Sequence, residues 1–515
     1  MLILPEKTKD SFNNENIGKY FLIIIKFPNE YKFYSHNNII IYNPIKDTWY
    51  NFLGSLTSEI QFSTGFKSKD NSVRIPSINI SIVDNIDLFD MTKLYEINFS
   101  EISLYLSTED LNLNEALPLF KGVIGINEID LVGNPFSVSF TNIDYKYDKI
   151  FPPLVLEKTN PIFYLYNDAE KYIGEYIPII FGKIEYPGCP IPMIFDNTTI
   201  RQYAICNHYP ITSVSIYSDG ILVPVIAYSL GQTWSEKYGY ISLISIVNNS
   251  YYISYFKNKK ITATCDGLLY NSPNNPSIGD IILYMLQNYS NLSSDLIDLQ
   301  GIYINKAYLS SFKVSRFFNS SSTIFDTIKE LTSEFPFFIN TRGFTKSIVC
   351  TDPLNIPYTF VMQKYKHYLE RVKGIAITKH TELYNKFSVR YKYDALNNRW
   401  LGYDYLDSSN NNDCLVLQVK LGGLIKEKEP LDLYSVSDAT TARNILNYLT
   451  KIYCFNRYSI TYKCKHNTIF LEIGDGILLI DEELNFNREK FVVVDKTIGR
   501  DFIYFTLENT ERIGI

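Results

Sequence analysis

The stretch YIGEYIPIIFGKIEYPGCPIPMI, residues 172–194, sets the terms for the chain around it. It holds two short apolar runs, 177–181 and 191–195, each punctuated by proline. Gly174, Gly182 and Gly188 lie around and between them. Proline cannot donate to a sheet ladder, so such strands are expected at an edge, a terminus or a bulge. Glycine there supplies turns or lets another backbone approach closely. The stretch carries no catalytic pattern and reads as shaped backbone, built to pack or to pair.

Upstream, apolar or alternating runs at 20–27, 38–42, 77–83, 97–105, 119–126 and 136–143 predict strands, separated by Gly, Asn, Asp and Pro clusters. Residues 77–83 (SINISIV) and 136–140 (FSVSF) alternate with period two, the mark of a sheet with one covered face. Residues 1–150 thus read as a β-rich barrel or sandwich. Pro152, Pro153 and Pro161 suggest a linker into a mixed α+β region, 151–350. There, short strands are expected near 203–205, 213–217 and 221–228, with Asp219-Gly220 as a hairpin turn. A second hairpin is expected between 240–247 and 251–256.

Three amphipathic helices follow from 3.6-residue spacing. One starts at Ser277 and carries Ile278, Ile281, Ile282, Met285 and Tyr289. One carries Ile324, Ile328, Leu331 and Phe335 and is stopped by Pro336. One follows the caps Ser437 and Asp438 and carries Ala439, Ala442, Leu446, Leu449 and Tyr453. All three are read as core-packing helices. Residues 351–515 return to β, with strands expected at 386–393, 414–420, 458–463, 468–473, 477–480, 491–495 and 502–507. A turn at Gly474-Asp475-Gly476 and a polar loop over 407–412 interrupt them. The expected fold is mainly β with some α: barrel or sandwich domains at both ends and a mixed α+β centre.

The chain has 515 residues, enough for about three domains. Tyrosine (42) and phenylalanine (33) are abundant, as are the other residues with A/T-rich codons, so genome composition is the simplest cause. Net charge is −6 and no basic run of five occurs; Lys257, Lys259 and Lys260 are the densest cluster. That balance argues against a tight grip on nucleic acid, which needs a basic patch. The N-terminal residues lack signal-peptide features, and no apolar run approaches the ~18 residues of a membrane span. Seven cysteines at 189, 206, 265, 350, 414, 454 and 464 suit free thiols in a reducing compartment better than a disulfide framework.

Chemical motifs are sparse. The histidines are His36, His208, His367, His380 and His466, and none forms an i, i+4 zinc pair. Cys454, Cys464 and His466 are the nearest approach to a metal cluster, with Cys464 and His466 on one face if both lie on a strand. Ordinary strand residues are the plainer reading. Cys189 would need a base such as His208 to be a nucleophile, and a structural thiol explains it as well. Nucleophile-elbow, Walker and dinucleotide-binding patterns are missing. Asp84, Asp219, Asp266, Asp475 and Asp495 lie near expected turns, which accounts for them without a glycosidase pair. No catalytic, cofactor or metal residue is assigned, and no enzyme activity is expected.

Against this background the order of features resembles bacteriophage tail hub and baseplate hub proteins. Residues 173–182 (IGEYIPIIFG) resemble an IGKPIPIVFG-type stretch of that family. The following run keeps Tyr203, Ala204, His208, Ile211, Val214, Tyr217, Asp219 and Gly220. Asn275-Pro276-Ser277 with Asp280-Ile281 resembles the family's N-P-x-D-I helix start, although Ser277 and Gly279 depart from it. A helix over 323–335 leading into 337–349, and Gly474-Asp475 before 477–480, continue the order. Leu119-Phe120-Lys121-Gly122 is similar to a strand of the tube-like domain.

The resemblance implies a virion structural protein, assembled in the host cytoplasm. It would close a ring (a trimer or hexamer of itself), contact other tail proteins and fibres, and meet DNA only in transit through its lumen. Two other functions stay open. One is a receptor- or glycan-binding tail module using Trp49, Trp234 or Trp400, though a buried anchor is the plainer role for each. The other is a cell-envelope hydrolase.

Overall fold

The computed structural model describes residues 4–511 apart from 27–30, 57–59, 61, 68–71, 75–77, 83–99, 125–135, 143–147, 160–162, 164, 166, 209–210, 237–238, 248–249, 257, 272–273, 305, 343, 354, 373 and 379–381. The fold is mostly β, in several curled sheets, with most of the helices gathered in one region.

The strand Lys19–Lys26 (KYFLIIIK) shows how the N-terminal sheet is built. It pairs along its whole length with Glu101–Thr108. Its side chains sort by parity, as the pleat requires. Phe21, Ile23 and Ile25 enter one of the three large cores; Tyr20 and Leu22 face a smaller cluster with Ile41 and Phe52. A strand covered on both faces reads as a continuous apolar run, which this one does.

This core joins the two ends of the chain. Phe21, Leu104 and Phe120 pack with Tyr462, Leu479, Phe505 and Leu507. The ends also share a sheet, because Phe62–Lys67 pairs with Phe486–Ile498 (Ile498 opposite Phe62). Packing therefore crosses the sequence boundaries near 150 and 350. Phe151 and Leu154, in the expected linker, are buried, and Ile150–Phe151 pairs with Ser322–Thr323. Pro161 lies outside the described residues.

Residues 154–265 form a sandwich of two four-stranded sheets. One runs Lys183–Pro190, Ile261–Asp266, Thr212–Ser218, Ile221–Leu222. The other runs Met193–Asp196, Ile200–Cys206, Gly239–Val247, Ser229–Ser235. Tyr203, Ile216, Ile244 and Ala263 fill the space between them. The third core gathers the helices Ile278–Asn288, Ile324–Ser333 and Ala439–Tyr453. Most of their expected faces are buried: Ile278, Ile281, Ile282 and Met285; Ile324, Ile328, Leu331 and Phe335; Ala442, Leu446, Leu449 and Tyr453; Tyr289 is half-buried, and Ala439, in the first turn of its helix, is exposed. Among the described residues no helix is long and apolar enough to cross a membrane.

Three expected strands are not strands. Residues 414–420 lie in a helix, Asn412–Lys420, capped by Asn411, whose side chain accepts from the Cys414 N–H (3.1 Å). Residues 251–256 form a helical turn from Ser250–Ile253, and Gly239–Val247 pairs instead with Ser229–Ser235 and Ile200–Cys206. Residues 468–473 follow a short 3-10 turn, His466–Thr468, and their polar groups bond elsewhere: Lys496 donates to the Ile469 carbonyl (2.7 Å). Of 221–228, only Ile221–Leu222 is strand, followed by a 3-10 turn, Val225–Ala227.

Candidate functional site

The stretch that opened the sequence reading forms one wall of a cleft of about 370 Å³. Its strand Lys183–Pro190 is the edge of its sheet, and its register with Ile261–Asp266 shifts between Ile184 and Cys189. The bulged Glu185, Tyr186 and Pro187 line the cleft. Two glycines allow this path. Gly182 has φ 69°, and a Cβ there would lie 2.5 Å from the Val314 carbonyl oxygen. Gly188 has φ 91°, and a Cβ there would lie 2.7 Å from the Ala263 oxygen. Across from them, Arg316–Phe318 pairs with Ile179–Phe181, and Lys392, Tyr393 and Tyr434 complete the wall.

Arg316 organises the floor. Its Nη1 donates to Glu334 Oε1 (2.9 Å) and to Ser435 Oγ (3.0 Å), its Nη2 donates to Glu330, and its guanidinium lies 5.0 Å over the Phe318 ring. Glu334 also accepts from the Ser435 N–H (2.9 Å) and hydroxyl (3.0 Å). Burial pushes the Glu334 carboxyl up to about 7, against the lowering pull of Arg316 and the two Ser435 bonds. At the cleft mouth Lys392 Nζ pairs with Glu185 (3.0 Å). The four charged side chains lining the cleft, Glu185, Arg316, Glu330 and Lys392, are thus all ion-paired. Beside them Tyr393, Trp400 and Tyr434 form a ring triad, with centroids 4.8–5.0 Å apart. Arg390 lies 5.8 Å over Trp400 and holds Asp432 through two bonds (2.6 and 2.8 Å). Neutralised charges, aromatic faces and the small polar side chains of Asn319, Ser320 and Ser437 suit a neutral polar ligand; they assemble no nucleophile with its base.

The other sequence candidates are dispersed. Cys189 is fully buried, its thiol raised by burial and donating to the Pro190 carbonyl (3.3 Å). His208 does not reach it: His208 Nε2 accepts from the Ile180 N–H (3.2 Å), and Nδ1 faces Cys206 Sγ at 3.7 Å. Cys454 sits 3.8 Å from Cys414 in the helical core, whereas Cys464 ends a strand in the core shared by the chain ends. His466 follows on a 3-10 turn and donates to the Gly499 carbonyl (3.3 Å), so Cys464 and His466 do not share a strand face. No group of metal-ligating residues gathers among the described residues. All seven cysteines are buried free thiols.

Trp49 and Trp234 are exposed, at 67% and 59%, rather than buried anchors. Asp475 accepts from the Glu472 N–H (2.7 Å), which is turn chemistry; Asp219, at positive φ in its turn, accepts from the Lys260 N–H (2.9 Å), a bond between segments distant in the chain. Asp495 lies instead within Phe486–Ile498, at a register shift. His380, Asp84 and Lys257 lie outside the described residues.

Sequence spacing could not reveal Arg316, Glu334 and Ser435, which are far apart in the chain. One signal was available: Glu334 stands directly before Phe335-Pro336 at a helix C-terminus, where a negative charge is disfavoured unless it has a private partner. No family model matches the chain, and no curated protein sequence matches it.

Proposed function

We propose that this chain is a structural component of a bacteriophage tail. It would form a ring-shaped hub that joins the tail tube or barrel to distal fibres or a tip, around a channel for DNA ejection. The observation that carries this reading is where the resembling residues are specialised. In 173–182 and its continuation the specialised feature is backbone: Gly182 and Gly188 seated against carbonyls, a bulged edge strand, and a turn at Asp219-Gly220 with both residues at positive φ. Such residues shape a scaffold. A core that ties both chain ends together is also what a load-carrying ring subunit needs. A net charge of −6 favours sliding over gripping of passing DNA. Immunogold labelling and quantitative mass spectrometry of purified tails test the reading: a fixed copy number at one tail position is expected, and absence from the particles overturns it.

A second reading, glycan or receptor binding, is favoured by the Tyr393–Trp400–Tyr434 triad beside a cleft with neutralised charges, since sugars stack on aromatic faces. Binding of the isolated chain to host cells, lost in Tyr434→Ala and retained in Trp49→Ala, would favour it.

A further inference from the structure

Cys414 and Cys454 stand 40 positions apart in the chain, yet their Sγ atoms lie 3.8 Å from one another. Both side chains are buried in the helical core. Cys454 is the C-cap of the helix Ala439–Tyr453, and its Sγ donates to the Tyr384 carbonyl (3.4 Å). Cys414 stands in the first turn of the helix Asn412–Lys420. Other thiols turn to other groups: Cys189 to the Pro190 carbonyl, Cys206 to the His208 carbonyl, and Cys464 to the Tyr462 carbonyl.

A disulfide holds its sulfurs ~2.05 Å apart, so a bond here asks for rotation of the thiols and a small advance of one helix on the other. The helix that carries Cys414 can make that advance. It has 9 residues, of which Cys414 and Leu417 are the buried ones, while Leu415 and Val419 are exposed. A helix this short is not stable by itself. The ion pair of Asp413 with Lys451 (2.7 Å) ties it to Ala439–Tyr453, but a part-exposed pair adds little. Ala439–Tyr453, in contrast, buries Ala442, Ile445, Leu446, Leu449 and Ile452. Asn412–Lys420 therefore opens at a small fraction of the cost of global unfolding, while Cys454 stays in place. Two buried thiols with no way out would be inert packing groups. Direct sulfur contact and a lightly held helix beneath one partner set this pair apart.

We propose that Cys414 and Cys454 form a reversible disulfide when the chain meets a small-molecule disulfide. Opening of Asn412–Lys420 bares Cys414, which gives its proton to solvent. The thiolate attacks one sulfur of the small disulfide, whose S–S bond breaks; a mixed disulfide forms and one small thiolate leaves. As the helix closes, Cys454 loses its proton and attacks Cys414 Sγ, and the second small thiolate leaves. The two cysteines lose two electrons and two protons, and the small disulfide is reduced to two thiols. The new bond closes a loop that contains Tyr434 and Ser437 of the cleft wall, and it pins the lightly held helix. Neither cysteine lines the cleft, so the proposal takes nothing from the hub or glycan reading.

The test treats the full chain, purified in reduced form, with oxidised glutathione in native buffer. Remaining thiols are blocked with iodoacetamide, and the chain is digested without reductant and mapped by mass spectrometry. A loss of two hydrogens per chain is expected, with one linked pair of peptides carrying Cys414 and Cys454, and the other cysteines alkylated. Dithiothreitol should restore both thiols. A sample oxidised in urea, where any cysteines can pair, gives the scrambled reference. Hydrogen exchange of the 412–420 amides should slow about tenfold or more on oxidation in wild type and not in Cys414→Ser. The wild-type map needs no variant, so a misfolded Cys414→Ser leaves the test intact. Cys414 and Cys454 both still alkylated after native oxidation, glutathione retained on Cys414, or Cys454 linked to a different cysteine overturns the proposal. Exchange that ignores the bond overturns the pinning of the helix. None of these outcomes bears on the hub or glycan reading.

Discussion

Glu334 sits at the C-terminus of the helix Ile324–Ser333, where the helix dipole disfavours a negative charge, and it is buried besides. Its folded pKa, about 7, lies above the ordinary carboxylate value near 4.5. Between these values the folded chain holds a proton that the unfolded chain has released. Glu334 therefore contributes stability fully below about pH 4.5 and loses it as pH rises through 7. The full effect is on the order of 3 kcal/mol. Glu334→Gln fixes the neutral form, so the stability difference between variant and wild type should shift in the variant's favour from pH 5 to pH 7.5. Urea unfolding at the two pH values measures this, and a difference that does not change with pH contradicts it. Gly182 makes a second case at this scale. Its positive φ and the nearby Val314 oxygen leave no room for a Cβ, so Gly182→Ala should cost about 2 kcal/mol or more in the same assay.

Among the elements, the helix Ile278–Asn288 shows local sequence deciding local structure. Ser277 Oγ accepts from the Asp280 N–H (3.2 Å), and Asp280 Oδ2 accepts from the Ser277 N–H (3.3 Å), a complete capping box. Ser277→Ala should lower stability by about 1 kcal/mol, and Ser277→Thr should recover most of it, read as shifts in the urea midpoint. This helix was legible because cap, apolar spacing and length agreed. The proline-glycine stretch was legible for a similar reason: Pro187 and Gly188 exclude a regular central strand, and the strand found is a bulged edge. The helix Asn412–Lys420 was not legible. Its CLVLQVK run alternates well enough to pass for a strand, and its cap, Asn411, sits in a segment that reads as loop. What decides it is the burial of Cys414 and Leu417, three residues apart, against the helical core. Residues 468–473 misled for another reason. Lys496, buried with Glu472 (2.8 Å), takes the Ile469 carbonyl that a neighbouring strand would have used. The cleft was illegible as a unit because its walls come from segments brought together only by tertiary packing, although Trp400, beside it, was a candidate on its own.

The molecule as a whole carries three histidines held neutral by burial. His208 is depressed to about 3, and His367 and His466 to about 4, each chiefly by burial; Lys366 and Lys465 add to the effect at His367. Geometry agrees. His208 Nε2 and His367 Nδ1 accept from the Ile180 and Gln363 N–H groups, both at 3.2 Å, so a proton on either atom destroys a bond. His367 also packs edge-on against Phe360 at 4.7 Å. Unfolding frees all three to titrate near 6.5. The unfolded chain therefore binds protons that the folded chain refuses, and stability present above about pH 6.5 is lost as pH falls toward 4. Each histidine contributes a slope of about 1.4 kcal/mol per pH unit in that window. Glu334 acts in the opposite sense over much of the same range, holding one proton in the folded state. At pH 5.5 the balance of these four groups is an uptake of roughly two protons on unfolding. Urea unfolding from pH 7 to 5 should accordingly show stability falling with acid. His208→Gln should remove about one proton from the slope and Glu334→Gln should steepen it by about one. A stability that is flat or rises from pH 6.5 to 5 would show that the histidines of the shared core and the sandwich are not held neutral when the chain is folded.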